Sequence, residues 1–350
     1  MSAERGEFEM KKVKTVNSIG HILCHDLTRI VKGESKGVAF KKGHVIKEED
    51  IDVLLKMGKE HLYIWENKEG MMHENEAAII LGEVCKNENI VTTDIKEGKI
   101  ELIANCDGLF RVNTKKLLDI NSLDDIMIAT RHTNYPVKKG DILAGTRVIP
   151  LIIEKEKMEK VKEIGGDRPI LELLPYKHMN VGIVTTGSEV YYGRIKDTFT
   201  PVIISKLEKY NLKLCGHKIV DDKKEQIIEA IKDLKSNGAD MIICTGGMSV
   251  DPDDVTPSAI KDCGAKLITY GAPVLPGAMF LLAYFNDETP VLGLPGCVMY
   301  ADTTIFDLVL PRIIAGVKIS KKDLAGLGHG GLCFKCKVCM YPRCEFGKGV

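Results

Sequence analysis

The sequence predicts an α/β protein: a three-layer, mostly parallel sheet domain, preceded by a small mixed segment and a β-rich domain. Three observations carry that prediction. Beyond Pro175, buried-looking runs without polar alternation, at 181–186, 241–244 and 290–294, read as strands covered on both faces. Helical patterns separate these runs, and strand–helix alternation implies a parallel sheet. Glycine turns close the strands: Thr186-Gly187-Ser188-Glu189, Thr245-Gly246-Gly247-Met248-Ser249 and Leu294-Pro295-Gly296-Cys297. Such turns sit where open α/β sheets form ligand crevices.

Composition sets the outer bounds. The chain has 350 residues, enough for two or three domains with real cores. Its 49 basic and 49 acidic residues cancel, which argues against an electrostatic nucleic-acid or membrane-surface binder. No apolar run reaches the roughly 18 residues of a membrane span, and residues 1–8 contain no apolar leader. A cytoplasmic protein with mostly reduced cysteines is expected.

Taken in order, residues 1–75 predict a mixed segment, with a helix over 47–58 stopped by Gly58 and a strand at His61–Trp65. Residues 76–155 break into short strands at 90–93, 99–104, 109–112, 126–129 and 142–149, separated by turn residues, and predict a β-rich domain. Residues 156–177 read as a linker, whose charged part, over 154–168, is helical in part. The α/β domain spans 178–318, with helices over about 200–210, 223–237, 256–264 and 298–315, the last interrupted by Pro311. A cysteine-rich tail occupies 319–350.

Glycine turns offer backbone N–H groups to an anion, phosphate above all. Acids crowd the same turns: Glu189, Asp197, Asp251, Asp253 and Asp254. Phosphate and carboxylates repel, so such a pocket calls for a hard divalent cation, Mg²⁺ or its like. The same acids also suit helix capping. In the tail, Cys333, Cys336, Cys339 and Cys344 follow a C-x2-C-x2-C-x4-C spacing that suits Zn²⁺ or an iron–sulfur cluster. The six scattered cysteines Cys24, Cys85, Cys106, Cys215, Cys244 and Cys263 read as small core residues or bystanders, and Cys297 as a packed thiol or a soft ligand.

Gly187-Ser-Glu189, Asp197, Asp221-Asp222, Thr245 to Asp254, Pro276-Gly277 and Gly293-Leu-Pro-Gly296 together resemble the molybdopterin-binding domain of molybdopterin molybdenumtransferases, adenylyltransferases and the gephyrin end domains. Domain order favours the molybdenumtransferase branch, without its usual C-terminal β domain. The resemblance implies insertion of molybdate into adenylylated molybdopterin, with Mg²⁺-assisted phosphoanhydride hydrolysis. By motif match it assigns Glu189, Asp197 and Asp254 to catalysis and Asp251 with Asp254 to Mg²⁺. Thr186, Gly187, Ser188, Gly246, Gly247, Ser249, Pro276, Gly277, Pro295 and Gly296 fall to substrate binding. It implies a homodimer. The alternative is a carrier that holds molybdopterin or the finished molybdenum cofactor for a client molybdoenzyme. Three departures stand out: Ser188 replaces the usual Asp, Cys297-Val298 replaces Asn-Pro, and Ala278 replaces a lysine.

Overall fold

The computed structural model describes residues 12–21, 23–29, 37–41, 44–63, 70–249, 251 and 254–349. Residues 1–11, the end of the strand predicted through Trp65, and Asp253 lie outside the described residues. The chain divides into two compact units. One comprises Met1–Ile103, Asn113–Thr130 and Ile142–Leu171; the other comprises Ala104–Val112, Arg131–Asp141 and Glu172–Val350.

The first unit opens on a small apolar nucleus of Leu23, Leu27, Phe40, Ile46, Leu54 and Leu62. Helix Glu48–Lys56 supplies Leu54 and begins with three acids, the favourable sign for a helix N-terminus. The main sheet runs Ile90–Thr92, Lys99–Ala104, Ile142–Val148, Ile126–Thr130. Two corrections arise here. The stretch 76–155 is not simply β-rich, because Glu74–Cys85 and Thr114–Asn121 are helices. Glu74–Cys85 holds a continuous apolar run, Ala77 to Leu81, rather than a stripe, so no helical period announces it. Nor is 156–177 a linker. Helix Lys155–Gly165 buries Met158 and Val161, and strand Leu171–Pro175 buries Leu171 and Leu173. The helix shows solvent its Glu and Lys residues, and composition alone sees only those.

The β-rich stretch also fails as a domain in its own right. Gly108–Val112 pairs with Tyr135–Val137 and with Leu171–Pro175, and residues 104–112 and 131–141 group with the second unit.

The second unit is built on six strands: β1 (Asn180–Thr186), β2 (Lys213–Val220), β3 (Met241–Thr245), β4 (Lys266–Tyr270), β5 (Leu281–Tyr284) and β6 (Pro290–Leu294). Their order is β2-β1-β3-β6-β5-β4. The first four are parallel neighbours, and β5 runs antiparallel to both β6 and β4. Among the described residues, six helices accompany them: α1 (Ser188–Tyr191), α2 (Phe199–Glu208), α3 (Lys224–Ser236), α4 (Thr256–Asp262), α5 (Ile305–Ile314) and α6 (Lys321–Gly326).

Side-chain alternation sorts the central strands into two cores. Val181, Ile183, Met241, Ile243, Leu292 and Leu294 pack with α2 and α5. Val184, Ile242, Cys244 and Val291 pack with α3 and α4 on the other face. Both faces are covered, which is why the strands show no polar alternation. The result is the α/β three-layer arrangement that the sequence predicts.

The helix expected over 298–315 is shorter. A 3-10 turn spans Gly296–Met299, and α5 starts only at Ile305 behind a Thr304–Asp307 capping box. Pro311 lies within α5 and has no N–H to give the carbonyl of Asp307, four residues earlier. The Tyr341 hydroxyl donates to that carbonyl instead, at 3.0 Å. The tail therefore packs as structure. Phe346 joins the core at 4% exposure, and the Cys333 N–H donates to the Leu275 carbonyl at 2.8 Å.

Candidate ligand-binding site

The glycine turns gather at one rim because β1, β3 and β6 are parallel neighbours in register. Thr185 pairs with Thr245, and Thr245 with Leu294, so Gly187, Gly246 and Gly296 follow the ends of adjacent strands. β5 runs the other way and its Leu281 pairs with Gly293, which brings the Pro276-Gly277 turn ahead of it to the same rim.

The turns are close-built. Gly246 has φ +85°, and a Cβ there would lie 2.1 Å from the Thr186 carbonyl oxygen, so only glycine lets the first two turns touch. A Cβ at Gly277 would meet Ile305 Cγ2 at 2.4 Å, whereas one at Gly296 would find nothing within 4 Å. Gly277 therefore serves packing and Gly296 faces open space. Thr186 and Thr256 face each other through their hydroxyls at 3.1 Å. Thr245, fully buried at the end of β3, has a hydroxyl with no hydrogen-bond partner among the described residues. A buried polar group without a partner is unusual enough to mark a place where a ligand atom would be welcome.

The acids separate into hydrogen-bonded and exposed. Asp197 Oδ1 accepts from the Phe199 and Thr200 N–H groups at 2.9 and 3.0 Å, closing the start of α2. Its Oδ2 accepts from the hydroxyls of Thr185 and Thr200 at 3.1 and 2.5 Å and lies 3.5 Å from His217 Nε2. Burial pushes this carboxyl up, but the Thr200, Phe199 and Thr185 hydrogen bonds outweigh it and hold it below its ordinary value. Asp254 accepts from the Ser249 N–H at 2.7 Å and closes the acidic loop, with Tyr270 donating to the Met248 carbonyl at 3.0 Å. Glu189 and Asp251 are exposed. Glu189 Oε2 lies 3.3 Å from where a Cβ on Gly187 would be, and Asp254 Oδ1 lies 3.6 Å from the equivalent point on Gly247.

Sequence reasoning missed two networks. One is Asp197, Thr185, Thr200 and His217, in which His217 Nε2 lies 2.9 Å from the Thr185 hydroxyl. The other ties Ser188 to Asp221 and Asp222: the Ser188 hydroxyl donates to Asp221 at 2.7 Å and its N–H to Asp222 at 2.8 Å. The Ser188 hydroxyl and Lys223 hold Asp221 down at about 2. An aspartate in place of Ser188, as the family resemblance leads one to expect, would face two carboxylates here. The adjacent Asp221-Asp222 pair was the only signal available for this contact.

Cys297 is half-buried, and burial pushes its thiol up. Cys333, Cys336, Cys339 and Cys344 line a separate cavity of about 350 Å³. Among the described residues, no three His, Cys, Asp or Glu side chains are grouped to hold a metal ion, at the rim or in the tail.

With this geometry in view, the matching family is decisive: residues 182–315 match a model described as a probable molybdopterin binding domain. The parallel-sheet domain belongs to that family. Residues 12–66 match a second model, described only as a domain of unknown function. The chain is 27% identical over 203 residues to the molybdopterin molybdenumtransferase of Haemophilus influenzae, covering 55% of this chain and 47% of that protein. To the same-named protein of Synechococcus elongatus it is 25% identical over 159 residues, or 43% of this chain and 38% of that one. A CinA-like protein of a Mycobacterium species is 34% identical over 88 residues, covering 25% and 21%. The chain thus spans less than half the length of these curated relatives. Among solved structures, the tungsten cofactor synthesizing protein MoaB from Pyrococcus furiosus has 22% identity and a TM-score of 0.33, covering 39% of this chain and 92% of that one. No helix among the described residues of this chain is long and apolar enough to cross a membrane.

Proposed function

We propose that the molybdopterin-binding domain takes molybdopterin or its adenylylated form at the rim and takes part in inserting molybdate into it. The observation that carries this reading is the convergence of three glycine turns on adjacent parallel strands, beside a Thr245 hydroxyl that has no partner among the described residues. Backbone N–H groups at such turns suit a phosphate, and Gly296 leaves room for one. The donor chemistry fits Mg²⁺, which commonly keeps its waters and needs only one or two carboxylates beside a substrate phosphate. Glu189 and the second oxygen of Asp254 would hold it, with exposed Asp251 nearby in sequence. When bound, the ion would neutralise charge on the phosphoanhydride. Asp197 does different work: its oxygens are committed to α2, Thr185 and Thr200, which makes it a positioning residue for the first turn.

One observation favours the carrier instead: with Asp197 engaged and Ala278 in place of a lysine, the rim offers few free charged groups. Incubation with adenylylated molybdopterin, molybdate and Mg²⁺ tests both readings. Molybdate-dependent AMP release, lost in Glu189→Gln and Asp254→Asn, supports the transferase. Tight binding without release supports the carrier, and absence of binding rejects both. The reading includes a homodimer in the cytoplasm. Sedimentation at working concentration checks the dimer, and delivery of bound cofactor to an apo-molybdoenzyme checks the client.

A further inference from the structure

The four cysteines of the tail belong to no part of the reading above. They lie beyond the span matched by the molybdopterin-binding family, yet Cys333, Cys336, Cys339 and Cys344 all line one cavity of about 350 Å³. Its wall is built rather than loose. Phe346 is buried in the core, Tyr341 donates to the Asp307 carbonyl, and strand-like hydrogen bonds join Leu275 to Gly331 and Cys333. Lys335 sits at φ +51° between Cys333 and Cys336, a left-handed turn that folds the chain back within the first C-x2-C. Cys339 meets Thr303, with Sγ 3.1 Å from the hydroxyl oxygen.

Two ligand classes suit four thiolates. A lone Zn²⁺ needs all four sulfurs within about 2.3 Å of one point. Among the described residues, no three potential ligands are grouped in that way. Thiols that share a cavity without sharing a point fit a ligand with several metal centres, each taking its own sulfur. The C-x2-C-x2-C run has the spacing of three ligands of such a cluster; Cys344 follows after four residues, where the ferredoxin run has three, and is the one remaining tail cysteine for the fourth iron. Four thiolates leave the assembly net negative, and Lys335, Lys337 and Arg343 interleave with them in the same segment. We propose that this cavity binds a four-iron, four-sulfide cluster through Cys333, Cys336, Cys339 and Cys344.

The test uses the full chain, reconstituted without oxygen from ferrous iron and sulfide and then desalted. The expected result is about four iron and four sulfide per chain, with a visible absorption that bleaches on reduction. In the double variant Cys336→Ala/Cys339→Ala, whose residues are exposed and whose fold circular dichroism would verify, iron should fall at least about fourfold. Unchanged iron in that variant overturns the proposal. So does a wild-type chain that keeps no iron, or one that takes a single Zn²⁺ in competition and protects all four thiols. None of these readouts involves molybdopterin, so they stand or fall independently of the transferase assay.

Discussion

Gly246 has the least freedom to change of any residue at the rim. Gly246→Ala sets a Cβ against the Thr186 backbone and strains a φ of +85°. It should destabilise the domain by at least about 1–3 kcal/mol, read by urea denaturation, and separate the first two turns. Asp221 makes a prediction about pH. Its carboxyl is held at about 2 in the fold, against an ordinary value of 3.8. A depressed acid contributes stability that is present above its unfolded value and is lost as pH falls through its folded one. The melting temperature should therefore drop between about pH 4 and pH 2, and Asp221→Asn should flatten that part of the profile. At this scale the sequence was only partly legible. It picked out Gly246 and Asp254, but the Ser188–Asp221, Ser188–Asp222 and Thr185–His217 contacts join residues 32 to 34 positions apart, and no local pattern encodes such a pairing.

Among the elements, α2 and α5 show how polar contacts hold the rim in place. Asp197 closes the start of α2, so Asp197→Ala should cost about 0.5–2 kcal/mol as a lost cap, seen as a lower melting temperature. Lys206 on α2 is almost fully buried and reaches Asp307 on α5 at 2.7 and 2.9 Å, as well as the Asp302 carbonyl at 2.8 Å. Lys206→Met would leave the half-buried Asp307 without its cation, at a cost of up to about 3 kcal/mol. The double variant with Asp307→Asn should fall well short of additive in a denaturation cycle. The strands were readable because both faces of the sheet are buried. Helix Glu74–Cys85 was not, since its apolar run lacks a period. Helix Lys155–Gly165 reads from sequence only as a partly helical linker, because its buried residues are few and spaced among charges.

For the molecule, the tail is the informative part. Tyr341 replaces the hydrogen bond that Pro311 cannot make, and Phe346 fills the core beside α5. Phe346→Ala should destabilise the second unit by about 3–5 kcal/mol, and Tyr341→Phe by about 1–3 kcal/mol through an unsatisfied carbonyl. Both are measurable by denaturation of the full chain. If the tail were an unstructured appendage, neither variant would change stability.

Strand–helix alternation and apolar strands specified the α/β domain from the sequence alone, because covering both faces of a sheet leaves a local signature in each strand. The glycine turns marked the candidate rim in the same way, since at Gly187, Gly246 and Gly247 a positive φ favours a residue without a side chain. Only the tertiary structure decided which acids are exposed and which are committed, that residues 104–112 and 131–141 join the second unit, and that four cysteines line a cavity without, among the described residues, meeting at a point. Those facts depend on contacts between segments distant in the chain, and such contacts are set by packing rather than by any periodicity a single sequence displays.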